Sequence, residues 1–224
     1  MIIVYLIGRF PPVYGGGGNI EIIRNKELVN RGHIVYFLTP RFEKTHLAYE
    51  NHEGINVIRI FPPLRGPLSE LIFVLNAFIS IIKLKIKPDL IVDVFPYGNS
   101  MLITRFFSKI LNIPIIARLS QSGANEPLAA IKGKLGFLRK KLLFTYKSTI
   151  AISPDLIENC KEAGIPVDRI ALIPDCVDTD LFCPVDDVEK TKLRNRLFPN
   201  VQGKIITVVG TVTKRKRPHL AIEA

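Results

Sequence analysis

The sequence predicts an α/β fold with a Rossmann-like, doubly wound parallel sheet, and three observations lead to this prediction. Continuous apolar runs such as IIVYLI at Ile2–Ile7 are typical of parallel strands that are covered on both faces. These runs alternate with segments whose apolar residues recur at helical spacing, as in Asn19–Asn30. Glycines such as Gly32 and Gly164 follow the helical segments, where helices commonly end.

The same criteria place the other elements in order along the chain. Further strands are predicted at His33–Leu38, Ile55–Ile60, Asp89–Val94, Pro114–Leu119, Thr149–Ile152 and Arg169–Ile173. Further helices are predicted at Leu68–Ile86, Asn99–Leu111, Lys132–Tyr146, Pro154–Ala163 and Val188–Leu197. Arg41–Gly54 is polar and is expected to form a mobile loop, and Ser153 is the expected cap of the helix that begins at Pro154.

Lys204–Gly210 reads KIITVVG, which predicts a buried strand, and a basic loop and the start of a helix follow it. A single strand and helix cannot bury their own apolar faces. We therefore expect a first domain over residues 1–174, a connector over 175–203, and the opening of a truncated second Rossmann-like domain over 204–224.

Composition narrows the function classes. The net charge of +11 favours anionic partners, but the chain has no helix-turn-helix, RNA-recognition or zinc signature, so nucleic-acid binding is not predicted. Three cysteines without CxxC spacing argue against disulfides and structural zinc, and are expected to be packing residues in a reducing cytoplasm. The apolar run Leu71–Ile82 is shorter than the roughly 20 residues that a membrane span requires, and predicts a buried helix.

Three loops follow predicted strands, at the sheet edge where such folds bind ligands. In the first, PPVYGGGG at Pro11–Gly18, four glycines precede a helix, and their amides with the helix N-terminus would bind an anion such as phosphate. A flexible turn would also explain the loop. Four glycines are more than a turn needs and are entropically costly, which favours ligand binding. The loop is neither a Walker A nor a GxGxxG motif.

The second loop, RLSQSGANEP at Arg118–Pro127, offers Ser120, Gln121 and Glu126 as hydrogen-bonding groups for sugar hydroxyls. A polar loop that caps the next helix is an equally good interpretation. The third, GTVTKRKRP at Gly210–Pro218, offers four basic side chains for charge-assisted contacts to a diphosphate. Taken alone, the third loop is more simply a solvated basic turn.

The remaining candidates for catalytic and metal-binding residues have less support. The four histidines give no Ser-His-Asp or Cys-His arrangement. The connector aspartates, including Asp175, are interpreted as solvated surface residues rather than metal ligands. No catalytic residue is assigned.

Four ordered segments of the chain together resemble glycosyltransferase family 4, whose members are retaining enzymes of the GT-B architecture. Pro11–Pro40 resembles the family's opening, with its Pro-x-x-x-Gly-Gly loop and Arg-Gly-His, and Lys87–Gly98 resembles its Lys-Pro-Asp strand. Ser148–Pro184 resembles the segment that leads into the second domain, and Ile206–Ala224 resembles the start of that domain.

The resemblance implies a nucleotide-sugar donor, a glycan, polysaccharide or lipid-linked acceptor held mainly by the first domain, and catalysis between domains without a cofactor or metal. The residues that match or accompany the donor phosphate site are Gly15, Gly16, Gly17, Gly18, Lys216 and Arg215. The candidate acceptor or sugar contacts are Ser120, Gln121, Ser122 and Glu126.

The chain departs from the family pattern at three places. Thr211 stands where the family usually has arginine, Asp175-Cys176 replaces Asn-Gly, and Ser120–Ser122 lies where many members carry a histidine. The glutamates that usually bind the donor would lie beyond Ala224, so the chain alone is expected to be inactive.

Two further expectations concern partners. The alternative to a transferase is a non-catalytic phosphate- or nucleotide-binding Rossmann-like module that acts with a partner. The basic segments Lys132–Tyr146 and Lys83–Lys87 also suggest peripheral contact with an anionic membrane from the cytoplasmic side, although a solvated helix face explains them equally well.

Overall fold

The computed structural model describes residues 1–13, 16–60, 69–94, 96, 101–119, 131–132, 136–137, 146–210, 212 and 216–223. The chain divides into two compact units, Met1–Asp178 and Thr179–Ala224.

The first unit contains one sheet, in which eight strands lie among the described residues. They are β1 (Ile2–Leu6), β2 (Ile34–Pro40), β3 (Tyr49–His52), β4 (Ile55–Ile60), β5 (Leu90–Asp93), β6 (Ile115–Arg118), β7 (Ser148–Ala151) and β8 (Ile170–Leu172). Their order across the sheet is β3-β4-β2-β1-β5-β6-β7-β8. Every neighbouring pair is parallel except β3 and β4.

Strand β1 lies at the centre of the sheet and pairs on both sides, with Val4 opposite Tyr36 of β2 and Ile91 of β5. The chain first builds outward from β1 through β2 and β4, and then returns to the other side of β1 with β5. This reversal makes the carboxyl ends of β1 and β5 the switch point at which doubly wound sheets bind ligands.

Helices cover both faces of the sheet. They are α1 (Gly16–Asn30), α2 (Ser69–Lys83), α3 (Met101–Leu111) and α4 (Pro154–Glu162). On one face Ile22 of α1 packs with Tyr5 and Phe37. On the opposite face buried residues of α2, α3 and α4 pack with Val4 and Leu6. The predicted doubly wound fold class is thereby confirmed.

The second unit contains α5 (Asp187–Leu197) and a short helix α6 (Leu220–Glu223). The predicted buried strand Lys204–Gly210 is wrong, because these residues are irregular and Ile206 and Val209 are 85% and 92% exposed. A strand requires a neighbour to satisfy its backbone groups, and none of the described residues of this unit provides one.

Other corrections are local. Arg41–Gly54 contains the antiparallel strand β3 instead of being wholly irregular. Ser153 occupies the N-cap of α4, but its side chain makes no capping hydrogen bond. Cys160 is buried as expected, whereas Cys176 and Cys183 are exposed. Most of the predicted helix Lys132–Tyr146 lies outside the described residues.

Gly32 and Gly164, the predicted helix ends, adopt φ of +82° and +89°, in the left-handed region that glycine tolerates best. Within the described ranges, no helix combines the length and apolar character needed to cross a bilayer.

Candidate functional site

The N-terminus of α1 lies at the end of the glycine-rich loop that follows β1. The helix begins at Gly16, three positions before the predicted start at Asn19, so Gly16, Gly17 and Gly18 form its first turn. The N–H groups of a first turn have no partner within the helix and carry its partial positive charge. This turn contains no acidic residue that would compete with an anion. The arrangement is therefore suited to binding a phosphate group.

Two of these glycines have different surroundings. A Cβ at Gly18 would lie 2.7 Å from the carbonyl oxygen of Arg9, which is too close for any other residue unless the backbone moves. A Cβ at Gly17 would meet no atom within 4 Å. Gly18 is thus required by the packing of the loop against the helix. The space at Gly17 is open for a ligand to approach the backbone.

Arg59, at the carboxyl end of β4, anchors the loop that leads to α1. Its Nη2 donates to the carbonyl oxygen of Pro11 at 2.6 Å and pairs with Oε1 of Glu50 at 2.7 Å. Nη1 donates to the carbonyl oxygen of Leu47 at 3.1 Å, and the guanidinium lies 5.7 Å from the centroid of the Phe10 ring. Because Arg59 is buried, this side chain ties the glycine loop to β3 and to the segment before it.

A second charged group lies between α1, β6 and the segment after β8. Nη1 of Arg118 is 2.5 Å from Oε1 of Glu21, and Nη2 of Arg118 donates to Oδ1 of Asp175 at 2.6 Å. Arg24 approaches the same Asp175 oxygen at 3.3 Å and Oε1 of Glu21 at 3.6 Å. We call Glu21, Arg24, Arg118 and Asp175 the charged cluster.

Burial dominates the electrostatics of the charged cluster. Desolvation raises the pKa of Glu21, and the opposing attraction of Arg118 and Arg24 does not cancel this effect. Burial and the nearby Glu21 carboxylate raise the pKa of Tyr5 to about 12, so the phenol stays protonated at neutral pH. The carboxyl end of β6 is therefore held by ion pairs whose attraction only partly offsets the cost of burying the Glu21 carboxylate.

The structure describes part of the predicted site. Gly16, Gly17 and Gly18 lie together at the start of α1, and their role in donor binding stays a prediction. Lys216 lies in a turn of the second unit. The remaining predicted site residues, which lie outside the described residues, are Gly15, Arg215, Ser120, Gln121, Ser122 and Glu126.

Sequence reasoning missed the charged cluster and Arg59. Asp175 was expected to be a solvated surface residue, yet it pairs with two arginines and its side chain is 30% exposed. A signal existed for Arg118 and Arg59, since each is a charged residue within a predicted apolar strand, where charge is rarely buried without a partner.

Comparison with known proteins identifies a family for most of the chain. A model of Glycosyltransferase Family 4 matches residues 25–181, which is more than half of the chain. A search of curated proteins finds no match.

Solved structures share the fold. Sucrose-phosphate synthase from Thermosynechococcus elongatus matches with a TM-score of 0.65 and 16% identity, over 86% of this chain and 52% of that chain. A glycosyltransferase from Rickettsia africae matches with a TM-score of 0.60 and 16% identity, over 87% and 48%. Anabaena HepE, crystallised with UDP and glucose, matches with a TM-score of 0.56 and 20% identity, over 88% and 50%. The present chain thus spans about half the length of these proteins.

Proposed function

Because the chain belongs to glycosyltransferase family 4, we propose that it forms the acceptor-side part of a retaining glycosyltransferase. The enzyme would move a sugar from a nucleotide-sugar donor to a glycan, polysaccharide or lipid-linked acceptor. The observation that carries the proposal is the family match over residues 25–181, and the anion-binding geometry at the start of α1 supports it. The UDP and glucose in the HepE crystals make a nucleotide sugar the donor class to test first.

The proposed chemistry centres on the leaving diphosphate. As the glycosidic bond of the donor breaks, negative charge grows on the phosphate, and fixed positive charge at that point lowers the barrier. We assign this role to the N–H groups at Gly15–Gly18 together with Lys216 and Arg215. Such stabilisation needs no metal ion. Thr211 lies where the family usually has arginine, so Lys216 and Arg215 would supply the positive charge that this arginine usually provides.

The proposed acceptor contacts are Ser120, Gln121, Ser122 and Glu126, which follow β6 directly. The charged cluster supports this assignment because Arg118 is the last residue of β6 and is tied to both α1 and Asp175. Because contacts on two sides hold the Arg118 side chain, the residue at which the following loop begins has a fixed position. Polar groups that bind a sugar gain specificity when their supports are fixed in this way.

The proposal also concerns the activity of this chain alone. Since it spans about half the length of the relatives, we propose that most donor contacts come from a second domain that this chain only begins. We expect weak donor binding and no measurable transfer by residues 1–224. The full enzyme would act in the cytoplasm, with peripheral contact at the inner face of the membrane.

Calorimetric titration with UDP and UDP-glucose tests the proposal. Weak binding that does not depend on the sugar, and that falls severalfold in Lys216→Ala, is expected. Lys192→Ala, which changes an exposed lysine of α5, serves as the matched control.

Two other results would decide against parts of the proposal. Tight, sugar-specific binding would mean that the donor site lies within the first domain. Nucleotide binding without any transfer by a longer protein, in which a complete second domain follows this chain, would favour the non-catalytic module.

A further inference from the structure

An apolar groove lies where α2 and α3 end, at the amino edge of the parallel strands. It has a volume of about 420 Å³. Aliphatic side chains form most of its wall, and two lysines stand among them; the lining includes Ile82, Ile86, Leu111, Ile113, Lys85 and Lys87. Stacked rings of Phe78 and Phe107, 4.5 Å between centroids, hold the two helices side by side.

Exposed large apolar side chains lie along the same two helices, and one of them, Ile82, also lines the groove. Ile82 and Leu84, at the end of α2, are 52% and 56% exposed, and Phe106 and Ile110 of α3 are 59% and 60% exposed. Single exposed apolar residues are common on soluble domains, but a cluster beside an apolar groove marks an interaction surface. We call these four residues, together with the groove, the end surface.

The charge of the end surface is positive. Lys83, Lys85, Lys87 and Lys109 are all exposed, and in the described part of the chain no carboxylate lies within ion-pair distance of them. The acidic neighbour Asp89 is engaged elsewhere, because its Oδ2 accepts the Ile2 backbone N–H at 2.7 Å. The end surface therefore combines exposed apolar groups with uncompensated lysines.

Lys85 occupies a position that normally favours glycine. Its φ is +53°, and it closes α2 with backbone hydrogen bonds from Lys85 N to Ile82 O at 3.1 Å and from Ile86 N to Ile81 O at 3.0 Å. Glycine is the usual residue at this left-handed position because it adopts the conformation without strain. Lys85 therefore places a positive charge at the end of α2 at some cost to the backbone.

We propose that the end surface docks on an anionic lipid bilayer, with the lysines at the headgroups and Ile82, Leu84, Phe106 and Ile110 at the acyl boundary. Interfacial segments bind membranes through this combination of apolar area and attraction to anionic lipid. A second copy of the chain is a poorer occupant, since two such surfaces would bring like charges together. Lysine is also depleted in the cores of protein–protein interfaces.

The location of the end surface leaves the proposed active edge free. The groove lies at the amino edge of the sheet, whereas the glycine-rich turn of α1 follows the carboxyl end of β1. Helix α2 has 15 residues and alone separates the two edges by about 20 Å. The inference rests on the proposed function only for its purpose, which is to keep the enzyme at the membrane that carries a lipid-linked acceptor.

Vesicle co-sedimentation of the 224-residue chain tests the proposal, with vesicles of phosphatidylcholine alone and of equal parts phosphatidylcholine and phosphatidylglycerol. We expect binding only to the anionic vesicles, and weaker binding as salt increases. Each lysine near an anionic surface contributes about fivefold in affinity, so the variant K83Q/K85G/K87Q should lose about a hundredfold. The control K44Q/K190Q/K192Q removes the same charge elsewhere and should bind within a fewfold of the natural chain.

Folding and binding can be separated at Lys85. Lys85→Gly relieves the backbone strain, so it should unfold no earlier than the natural chain while binding anionic vesicles about fivefold more weakly.

Leu84→Ser and Ile110→Ser should weaken vesicle binding without changing UDP-glucose binding, which distinguishes failure of this inference from failure of the proposed function. Equal binding to both vesicle types, or unchanged binding by K83Q/K85G/K87Q, would overturn the inference. So would a stable dimer in sedimentation velocity that Ile110→Ser dissociates.

Discussion

Arg118 and Asp175 lie 57 positions apart in the sequence, yet Nη2 of Arg118 donates to Oδ1 of Asp175 at 2.6 Å. Arg118 ends β6, and Asp175 follows β8. The same guanidinium contacts Glu21 of α1. A single buried side chain therefore ties together three parts of the carboxyl edge, and the stability of that edge depends on its charge balance.

Replacing Arg118 alone should be severe. Arg118→Met leaves the Glu21 carboxylate buried without its main cation, and we expect the free energy of unfolding to fall by about 3–5 kcal/mol. The double variant Glu21→Gln/Arg118→Met removes both charges and should be more stable than Arg118→Met. Urea unfolding of both variants measures the difference. A double variant as unstable as the sum of its single changes would show that the two charges act independently.

Asp175→Asn should have a smaller effect than Arg118→Met. The Asp175 side chain is 30% exposed, so water screens the lost attraction, and about 1 kcal/mol is expected from the same unfolding measurement. Asp168→Asn, which changes an exposed aspartate seven positions earlier, is the matched comparison. If Asp175→Asn were as destabilising as Arg118→Met, Asp175 rather than Glu21 would be the essential partner.

Glu21 should give the protein a component of stability that decreases as pH rises. Its pKa is raised in the fold, so above the ordinary glutamic acid value of about 4.3 the folded chain retains a proton that the unfolded chain has lost. The stability from this group is complete below that value and is lost as pH rises through the raised pKa. Urea midpoints across this pH range should therefore fall relative to those of Glu21→Gln. Parallel pH profiles for the two chains would contradict the prediction.

Gly17 and Gly18 form a matched pair for separating binding from folding. Gly18→Ala places a Cβ 2.7 Å from the Arg9 carbonyl oxygen and should lower the melting temperature measurably. Gly17→Ala meets no atom within 4 Å and should keep or gain about 0.5–1 kcal/mol of stability, while weakening UDP binding severalfold. Thermal unfolding and calorimetric titration give both quantities. Unchanged UDP affinity in Gly17→Ala would remove the first turn of α1 from the donor site.

Arg59→Met should loosen the glycine loop. The substitution keeps the aliphatic bulk but removes the bonds to Pro11, Leu47 and Glu50, and we expect a loss of about 2–3 kcal/mol. Hydrogen exchange should rise in residues 9–13 and 47–52. Glu50→Gln removes only the charge of one partner and should produce the same pattern more weakly. Exchange that rises uniformly over the sheet would instead indicate global destabilisation.

The alternation of apolar strands and amphipathic helices was enough to predict the fold class. Ile55–Ile60 was predicted with its observed bounds, since four of its six residues are apolar and the turn-forming residues Gly54 and Pro62 lie on either side. The short strand Tyr49–His52 could not be found in this way because it is polar and depends on β4 for its hydrogen bonds. The strand predicted at Lys204–Gly210 is wrong for the opposite reason. These residues have a strong strand propensity, but they have no neighbouring strand to pair with among the described residues.

The candidate site was less predictable than the fold. Local spacing placed the glycines before a helix, because an anion site at a helix N-terminus is built from consecutive residues. The charged cluster is built from residues at positions 21, 24, 118 and 175, which only the sheet order brings together. No local pattern could assign Asp175 to that cluster, whereas a charge at the end of an apolar strand was a usable signal for Arg118.

The edges of the sheet have a consequence for how the protein behaves at high concentration. Among the described strands, one edge is β3, with four residues of mostly polar character, and the other is β8, with only three residues. Short and polar edges offer few unpaired backbone groups to a strand of another molecule. Growth of the sheet from one copy into the next is thereby disfavoured, and the parallel core is protected from the aggregation to which long open edges are prone.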